Sequence, residues 1–563
     1  MKFTKSLKIL LLIVTVGFFL RLYGSTLMPL YGDELTLVYD AYSILKTGHD
    51  QNGVFLPLTF QMAEGRPAGY VYFSIPFVAA FGPTLLGARM LSVLSGVGII
   101  ILLYLLGKKL VNDNVGLISA ALFSISPLGI QLGSGGFETH FALFLTLLGV
   151  VLFLNGKLKP LFIILSAFFL GLAIHTYSAY KLTVPLLVIA LIFSSGRLMD
   201  WLGRKLIFWS IAAIIIAGIF LGLLMNQALV AGSEGRFLHL NIFSQENIRE
   251  KIIQKVNLER NLDTLPERLV PLFHNKDLEY AFMISGNFVN NFSLDFLFWH
   301  GDGNPRHNGA TMGGLYPIEL LFVLAGLFYL VGQKIQVLRL ILPWLFIAPI
   351  PATLLMETHA LRSSLMLPPL ILLSAAGFYF LVFEKSKLSS EARGFYYLWD
   401  LIRQKWIKWL LPVLLLVQFI IFADRFYFLA PQSFSRFWSY PAKLASDLAI
   451  ESRGKFDYII LSDSLDNVEF AYPVYAQVDP ALVIAQNKQR EELFGVPFKR
   501  LGNVYIGYLA GEKIDNFLEG LPGSVLYIGP VEEARFLLNF HTISGKDDLR
   551  ALVYKEKLEP RSN

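Results

Sequence analysis

The stretch Pro29-Leu30-Tyr31-Gly32-Asp33-Glu34 begins a few residues after the first hydrophobic segment of the chain ends. If that segment spans a bilayer, the two adjacent carboxylates lie at its edge. A carboxylate at this depth is costly to keep charged unless it faces a partner or a cavity. Taken alone, the pair also suits a solvated interfacial loop, so its meaning depends on the rest of the chain.

The composition is that of a membrane protein. Of the 563 residues, 55% are hydrophobic and 16% are charged, whereas a soluble domain has about 25% charged residues. The net charge is +6, but the basic residues are spread through short loops between apolar segments, as membrane orientation requires. We therefore expect no nucleic-acid partner. The absence of Cys excludes disulfides, thiolate metal sites and a Cys nucleophile.

Apolar windows long enough to cross a bilayer predict a polytopic α-helical protein with about eleven transmembrane helices. Lys2, Lys5 and Lys8 lie before the first long apolar run and no small-residue cleavage site follows it, so we expect an uncleaved anchor. The apolar piece 69–82 contains Pro76 and ends in Gly82-Pro83, and we expect a juxtamembrane helix on or in the outer leaflet. The windows lie near 7–23, 86–107, 115–131, 141–155, 161–178, 182–195, 206–226, 315–332, 337–355, 362–383 and 407–424.

Basic residues predict the orientation of these helices. If 69–82 does not cross, the loops richest in lysine and arginine all face the cytoplasm. The N-terminus is then cytoplasmic, and the C-terminal region is extracytoplasmic in a multi-pass protein of the plasma (inner) membrane. The basic residues are Lys108, Lys109, Lys157, Lys159, Arg197, Arg204, Lys205, Lys334, Arg339, Lys385, Lys387, Arg393, Arg403 and Lys405.

The chain divides into two predicted domains. Residues 1–430 form the transmembrane domain with external loops 24–85 and 227–314, and residues 431–563 form a small extracytoplasmic α/β domain. Within the second loop, apolar residues at helical spacing from Glu246 to Arg268 predict an amphipathic surface helix. In the C-terminal domain, short apolar runs predict strands and one stretch predicts a helix. The strands are 456–462, 504–508, 524–528 and 551–555, and the helix is 531–538.

By this topology, ionisable side chains from five separate loops lie at one extracytoplasmic depth. Carboxylates there can act as a general base or bind a divalent ion, and guanidinium groups suit a phosphate. The matching substrate is a lipid phosphate, because its tail stays in the bilayer while its head group reaches the interface. The residues are Asp33, Glu34, Arg66, Glu138, His140, His300, Asp302, Arg306, His307, His359 and Arg362.

Several motifs carry a family resemblance. The strongest are Asp33-Glu34 after the first span, Arg66-Pro67 about thirty residues later, the stretch 81–92, and Ser126-Pro127 before a turn with Glu138. Over roughly residues 7–385 the chain resembles GT-C glycosyltransferases, in the branch of protein O-mannosyltransferases and lipid A aminoarabinose transferases. Relatives often have an arginine before the acid of the second external turn, where this chain has glycines and Ser134. Weaker matches are 175–181, 301–307 and 359–362.

The resemblance implies a hexosyl- or pentosyltransferase of the cell envelope. Such an enzyme moves a monosaccharide from a polyprenyl phosphate to a protein, lipid or glycan acceptor at the outer face. It implies catalytic carboxylates at Asp33, Glu34 and Glu138, of which Asp33 and Glu138 are also candidate ligands of a divalent cation, Mg²⁺ or Mn²⁺. The implied donor phosphate-binding residues are Arg66, Arg306, His307, His359 and Arg362.

The alternative from another class is a polytopic transporter or lipid flippase without transferase activity. Transporters usually carry ionisable or helix-breaking residues near the bilayer midplane, and often an inverted repeat. In this sequence the ionisable residues gather at one face and no repeat is visible. The pattern therefore favours the transferase.

Overall fold

A computed structural model describes residues 4–61, 65–156, 158–194, 206–231, 242–355, 358–384, 406, 408–547 and 549–558. Of the basic residues used above to orient the spans, nine lie outside the described residues, and the orientation of the termini stays a prediction. These nine are Lys157, Arg197, Arg204, Lys205, Lys385, Lys387, Arg393, Arg403 and Lys405.

The amino-terminal part is built of helices whose starts follow local capping. The side chains of Thr84, Asn112 and Ser126 each accept a hydrogen bond from a backbone N–H of the helix that follows, which satisfies a donor without a partner inside the helix. These helices are α1 Lys5–Gly24, α2 Gly32–Thr47, α3 Gly69–Phe81, α4 Leu85–Leu110, α5 Asp113–Ile125, α6 Pro127–Ser134, α7 Glu138–Asn155, α8 Leu161–Ile174, α9 Tyr180–Ser194 and α10 Ile207–Ala231.

The helices that follow include an external group, more apolar helices and the helices of the C-terminal region. They are α11 Glu246–Leu262, α12 Val270–Phe273, α13 Lys276–Asn290, α14 Glu319–Gln333, α15 Ile335–Ile347, α16 Ile350–Leu354, α17 Leu367–Val382, α18 Lys408–Ala423, α19 Ala430–Ser433, α20 Tyr440–Ser452, α21 Val468–Tyr475, α22 Pro480–Lys488 and α23 Ile514–Gly520.

The predicted multi-pass architecture is confirmed. In the described chain, seven helices are long and apolar enough to cross a membrane, or eight if α5 and α6 are one span bent by 58°. Four shorter apolar helices, α3, α8, α9 and α14, accompany them, so the predicted number of about eleven spans is roughly consistent. The apolar stretch of α10 is only 6% buried within the protein, as a lipid-facing helix would be. The bend falls where Pro127 follows α5, since proline cannot continue the backbone hydrogen bonding.

The predicted amphipathic helix of the second loop is present as α11, and it is shorter than expected. Its buried residues Ile248, Ile252 and Val256 recur every four positions and form one stripe. The helix ends at Leu262 because the Asp263 side chain accepts a hydrogen bond from the Leu265 N–H instead. Pro266 follows directly, and a residue before proline is disfavoured in helical conformation.

The C-terminal region contains a seven-stranded mixed sheet of order β4-β5-β6-β3-β7-β9-β8. Strand β3 pairs in parallel with β6 and β7, and the other pairs are antiparallel. The four predicted strands are confirmed, whereas β4, β5 and β8 were not foreseen. Strands β4 and β8 are largely exposed, so they lack a buried apolar run. The strands are β3 Tyr458–Ser462, β4 Glu491–Leu493, β5 Val496–Leu501, β6 Val504–Gly507, β7 Val525–Gly529, β8 His541–Ser544 and β9 Arg550–Lys557.

Helix α2 joins the membrane helices to the C-terminal region. The Tyr39 hydroxyl donates to the Val478 carbonyl at 3.0 Å, and the Leu30 N–H donates to the Tyr475 hydroxyl at 3.2 Å. The helix ends at Gly48, whose φ of 75° lies in the left-handed region that glycine adopts readily. A short antiparallel pair, β1 Thr59–Phe60 with β2 Arg66–Pro67, then returns the chain towards α2. The division at residue 430 stays a prediction.

Candidate active site

The guanidinium of Arg66 joins two carboxylates from separate helices. Its Nη2 lies 3.1 Å from Asp33 Oδ1, and its Nε lies 2.8 Å from Glu138 Oε1. Asp33 is in the first turn of α2, Arg66 is in β2, and Glu138 is the first residue of α7. Three segments from residues 33, 66 and 138 therefore meet in one place, which we call the acid–arginine cluster.

Every nitrogen of Arg66 has a partner within the cluster. Nη1 donates to the Asp33 carbonyl and to the Thr36 hydroxyl, each at 3.0 Å. Burial lowers the pKa of Arg66, but Glu138 and Asp33 more than offset this, and the pKa lies above its usual value. The Arg66 side chain is 5% exposed and that of Glu138 17%, whereas that of Asp33 is 49% exposed. Asp33 is therefore the carboxylate that an incoming molecule meets first.

Glu34 points away from this cluster into the protein interior. Arg89 donates to both of its oxygens, from Nε to Oε1 at 2.7 Å and from Nη2 to Oε2 at 2.6 Å. Glu34 also accepts from the Gly136 N–H at 2.6 Å and from the Tyr31 N–H at 3.3 Å. The Glu34 side chain is fully buried. Both oxygens are thus occupied by structural partners.

Gly136 of the second external turn is restricted by this contact. A Cβ at Gly136 would lie 3.1 Å from Glu34 Oε1 and 3.3 Å from the Ala88 carbonyl. A side chain would therefore separate the turn from the buried carboxylate. The contact accounts for glycine at position 136, whereas a Cβ at Gly133 would meet Arg21 and one at Gly135 would meet Phe137.

A second group, the histidine cluster, consists of Asp302, His307 and His359. Asp302 Oδ2 lies 3.1 Å from His307 Nδ1 and 3.8 Å from His359 Nδ1. The same oxygen accepts from the Ala360 N–H at 2.7 Å. Burial raises the pKa of Asp302. The hydrogen bond and charge of His307, together with two backbone N–H groups, lower the pKa by more, so it lies below its usual value. The carboxylate thus orients the His307 ring by a hydrogen bond, and the His359 ring lies against His307 with ring centres 4.6 Å apart.

Arg306, which directly precedes His307, contacts Tyr31 and the C-terminal region. Its guanidinium carbon lies 5.6 Å from the centre of the Tyr31 ring, and its Nε donates to the Phe437 carbonyl at 2.5 Å. Nη2 is 3.9 Å from Asp466, a long ion pair. The Arg306 side chain is 33% exposed, so its charge is less enclosed than that of Arg66.

Phe137 connects these groups into one layer. It directly precedes Glu138, and its ring centre lies 6.1 Å from that of His307 and 5.9 Å from that of Tyr31. Phe137 and Tyr31 together therefore link the three groups, since Arg306 lies against the Tyr31 ring. Six of the residues proposed from the sequence lie in or beside this layer, and their roles stay predictions. They are Asp33, Arg66, Glu138, Arg306, His307 and His359.

Three further candidate residues from the sequence are not among these six. His140 is fully buried and stacks on Phe123 with ring centres 6.4 Å apart, away from the layer. His300 is exposed and pairs with Asp295. Arg362 is half-buried, three residues after His359.

Two contributors to the layer were missed by sequence reasoning. Thr36 holds Arg66, and its place one turn after Asp33 was a usable signal. Trp438 packs on Tyr31 with ring centres 5.2 Å apart, but a tryptophan about 400 residues away gives no such signal.

The predicted cation position between Asp33 and Glu138 is taken by Arg66, so these two carboxylates do not fit a divalent ion in this arrangement. Among the described residues, the histidine cluster is the group whose ligand atoms lie within 4.8 Å of one another. Two imidazoles and one carboxylate are donors that zinc-like ions prefer over Mg²⁺. The divalent cation expected from the resemblance stays a prediction.

Comparisons with known proteins agree with this architecture. Residues 66–224 match the sequence model of the dolichyl-phosphate-mannose-protein mannosyltransferase family. The crystal structure of ArnT from Cupriavidus metallidurans in the apo state is similar, with a TM-score of 0.52 and 11% identity over 97% of each chain. The same protein bound to undecaprenyl phosphate gives 0.51, 11% and 97% of each chain. No curated protein matches the sequence.

The fold is that of the GT-C superfamily of polyprenyl-phosphate-sugar glycosyltransferases, so the resemblance predicted from the sequence motifs is confirmed. The matched segment 66–224 contains Arg66 and Glu138 of the acid–arginine cluster. Family match and fold together indicate a membrane glycosyltransferase.

Proposed function

We propose that the protein transfers a monosaccharide from a polyprenyl phosphate carrier to an envelope acceptor at the extracytoplasmic face of the membrane. The observation that carries this proposal is the bridge from Arg66 to Asp33 and Glu138. It holds an exposed carboxylate in a fixed position beside a layer of cationic and imidazole groups. That is the combination that sugar transfer from a lipid phosphate requires.

Asp33 is the proposed general base. Its carboxylate takes the proton of an acceptor hydroxyl as that oxygen attacks the anomeric carbon of the donor sugar. The bond from this carbon to the phosphate oxygen breaks, and the lipid phosphate leaves with the bonding electron pair. A positioned base contributes typically about 10²–10⁴-fold to such a step. Because Asp33 Oδ1 is fixed by Arg66, the carboxylate is oriented before the acceptor arrives.

The leaving phosphate needs positive charge or hydrogen-bond donors close to the oxygen that gains charge. Arg306 is the proposed first contact, because its guanidinium is partly exposed and lies against Tyr31. His307, oriented by its hydrogen bond to Asp302, and the adjacent His359 are proposed as further donors. Arg362 follows His359 by three residues and is proposed for the same phosphate. A guanidinium matches phosphate oxygens with paired hydrogen bonds.

Arg66 and Glu138 are proposed to organise the site around the base. All three nitrogens of Arg66 are engaged, so its contact with a donor phosphate requires one of these bonds to be exchanged. Glu138 fixes the guanidinium from the opposite side. Glu34 is proposed to position the turn before α7, because it bonds Arg89 and the Gly136 N–H.

The related structures support the choice of donor. ArnT, which shares the fold, was crystallised with undecaprenyl phosphate, and the matching sequence family is named for a dolichyl-phosphate sugar donor. Both names describe a sugar carrier with a long isoprenoid tail and a phosphate. Neither fixes the sugar or the acceptor of this chain, which we propose only as a protein, lipid or glycan of the envelope.

The test is release of lipid phosphate by purified protein in detergent, given a panel of polyprenyl phosphate sugars. We expect turnover with at least one sugar by the wild type and its loss in Asp33→Asn. The control is Glu512→Gln, an exposed acid of the C-terminal region. Detergent removes any gradient, so a transporter or flippase would show no turnover. Equal turnover by Asp33→Asn would reject Asp33 as the base.

A further inference from the structure

A cavity of about 310 Å³ lies between the first external segment and the C-terminal region. One wall carries Gln51, Asn52 and Gln61, and the facing wall carries Asn487 and the ring of Phe470. We call it the amide cavity because four of its lining side chains are carboxamides. The proposed transfer step involves none of the residues that line this cavity.

The chemistry of the lining points to one kind of ligand. A carboxamide offers both donors and an acceptor, which suits hydroxyl groups because a hydroxyl also gives and takes a hydrogen bond. One N–H of Asn487 is already used, since its Nδ2 donates to the Gln51 carbonyl at 2.8 Å. Phe470 adds an apolar face on which the C–H groups of a sugar ring can pack. The two charges that line the facing wall pair with each other, since Glu469 lies 3.0 Å from Arg490. The lining therefore fits a neutral, hydroxyl-rich molecule better than a charged one.

Chain connections place the amide cavity close to the acid–arginine cluster. Asp40 lines the cavity and lies on α2 seven residues after Asp33, which is about 10 Å along the helix axis. Gln61 directly follows Phe60, and Phe60 pairs with Arg66 across the short sheet. Asp40 and Arg66 are also close enough to influence each other's charge. A ligand in the cavity can therefore extend one end towards Asp33.

Resting on the proposed function, we propose that the amide cavity is an acceptor subsite for a neutral saccharide. An inner unit of a glycan acceptor binds the carboxamides and Phe470, while its reacting hydroxyl lies at Asp33. The spacing of about 10 Å requires an acceptor longer than one sugar ring. A peptide acceptor is disfavoured, because the lining offers little apolar surface beyond Phe470 for side chains.

Asp40 strengthens this assignment. Its side chain is buried and accepts from the Gln51 N–H at 3.1 Å. Burial raises the pKa of Asp40 to about 7, against the lowering effect of that bond. Near neutral pH part of the population then carries a carboxyl proton, which can be donated to a sugar hydroxyl.

The test uses the full-length protein in nanodiscs, on a printed array of neutral and anionic oligosaccharides and of Ser/Thr-containing peptides. We expect the wild type to bind neutral oligosaccharides. Gln61→Ala and Phe470→Ala, from opposite walls, should each weaken this binding at least about tenfold. The control is Asn516→Ala, an exposed carboxamide on α23, which should bind as the wild type does.

Three outcomes would overturn the subsite: no saccharide bound, unchanged binding by both cavity variants, or retention of peptides in place of saccharides. The array needs no sugar donor, so its result is separate from lipid phosphate release. Donor turnover without saccharide binding rejects the subsite alone. Saccharide binding at the cavity without donor turnover rejects the proposed transfer and leaves the binding site standing.

Discussion

Arg89 and Glu34 form a bidentate ion pair inside the protein, with N–O distances of 2.7 and 2.6 Å. The two side chains are 1% and 0% exposed. Arg89 also donates to the carbonyls of Ser25, Met28 and Pro29. One arginine therefore holds the chain before α2 and the carboxylate within α2 in fixed relation, on which the position of Asp33 depends.

Removing one partner of this pair should destabilise the protein rather than act on the chemistry alone. We expect Arg89→Ala to lower the free energy of unfolding by about 3–5 kcal/mol, because the buried charge of Glu34 loses its ion-pair partner. The measurement is thermal unfolding in detergent, with Arg436→Ala as a matched control at an exposed ion pair. Unchanged stability of Arg89→Ala would contradict the structural role.

Substitutions of the adjacent acids Asp33 and Glu34 should affect different properties of the protein. Asp33→Asn should reduce kcat by about 10²–10⁴-fold, as loss of a general base does, with thermal stability close to that of the wild type. Glu34→Gln should instead lower thermal stability, because one buried hydrogen bond to Arg89 is lost. Measuring kcat and Tm for both variants checks this. A Glu34→Gln protein with normal Tm and no turnover would assign Glu34 a direct role in the reaction.

Arg66 should not be replaceable by lysine. A lysine ammonium is a point charge and cannot reproduce the planar fork that contacts Asp33, Glu138 and Thr36 together. We expect Arg66→Lys to lower kcat/KM by about 10²-fold or more while the protein still folds. The readouts are kcat/KM and size-exclusion behaviour. Wild-type kinetics in Arg66→Lys would show that charge alone is sufficient.

Asp40 should make stability depend on pH. Its pKa in the folded protein is raised to about 7 by burial, against about 3.9 in the unfolded chain. The folded state then binds the proton more tightly, so stability falls as pH rises from about 4 to about 7, by up to about 4 kcal/mol. Asp40→Asn should remove this fall in thermal unfolding measured at pH 5 and pH 8. The exposed Glu512→Gln should keep it.

Removal of divalent ions distinguishes Arg66 from a metal at the carboxylates. Because Arg66 lies between Asp33 and Glu138, we expect lipid phosphate release to persist after EDTA treatment. Loss of activity that Mg²⁺ or Mn²⁺ restores would support the cation predicted from the resemblance. Zinc that is bound by the wild type and by His300→Ala but not by His307→Ala would place an ion at the histidine cluster.

Much of the architecture was predictable, because the bilayer restricts what an apolar segment can do. A stretch that spans the hydrocarbon must form a helix to satisfy its own backbone, so length and apolarity led to about eleven spans. The same restriction places the loop residues at two depths, which is why Asp33, Arg66 and Glu138 were expected together. The buried strands β3, β6, β7 and β9 were visible as apolar runs, whereas the exposed β4 and β8 were not.

The sequence by itself determined the membrane helices, the α/β character of the C-terminal region and the group of acids and arginines that meet. Only the tertiary structure decided which acid does what. Asp33 and Glu34 are neighbours, yet successive residues of a helix point about 100° apart. One therefore faces Arg66 and solvent, and the other faces Arg89 in the interior. Directions and pairings of this kind depend on contacts between distant segments, and no local pattern encodes them.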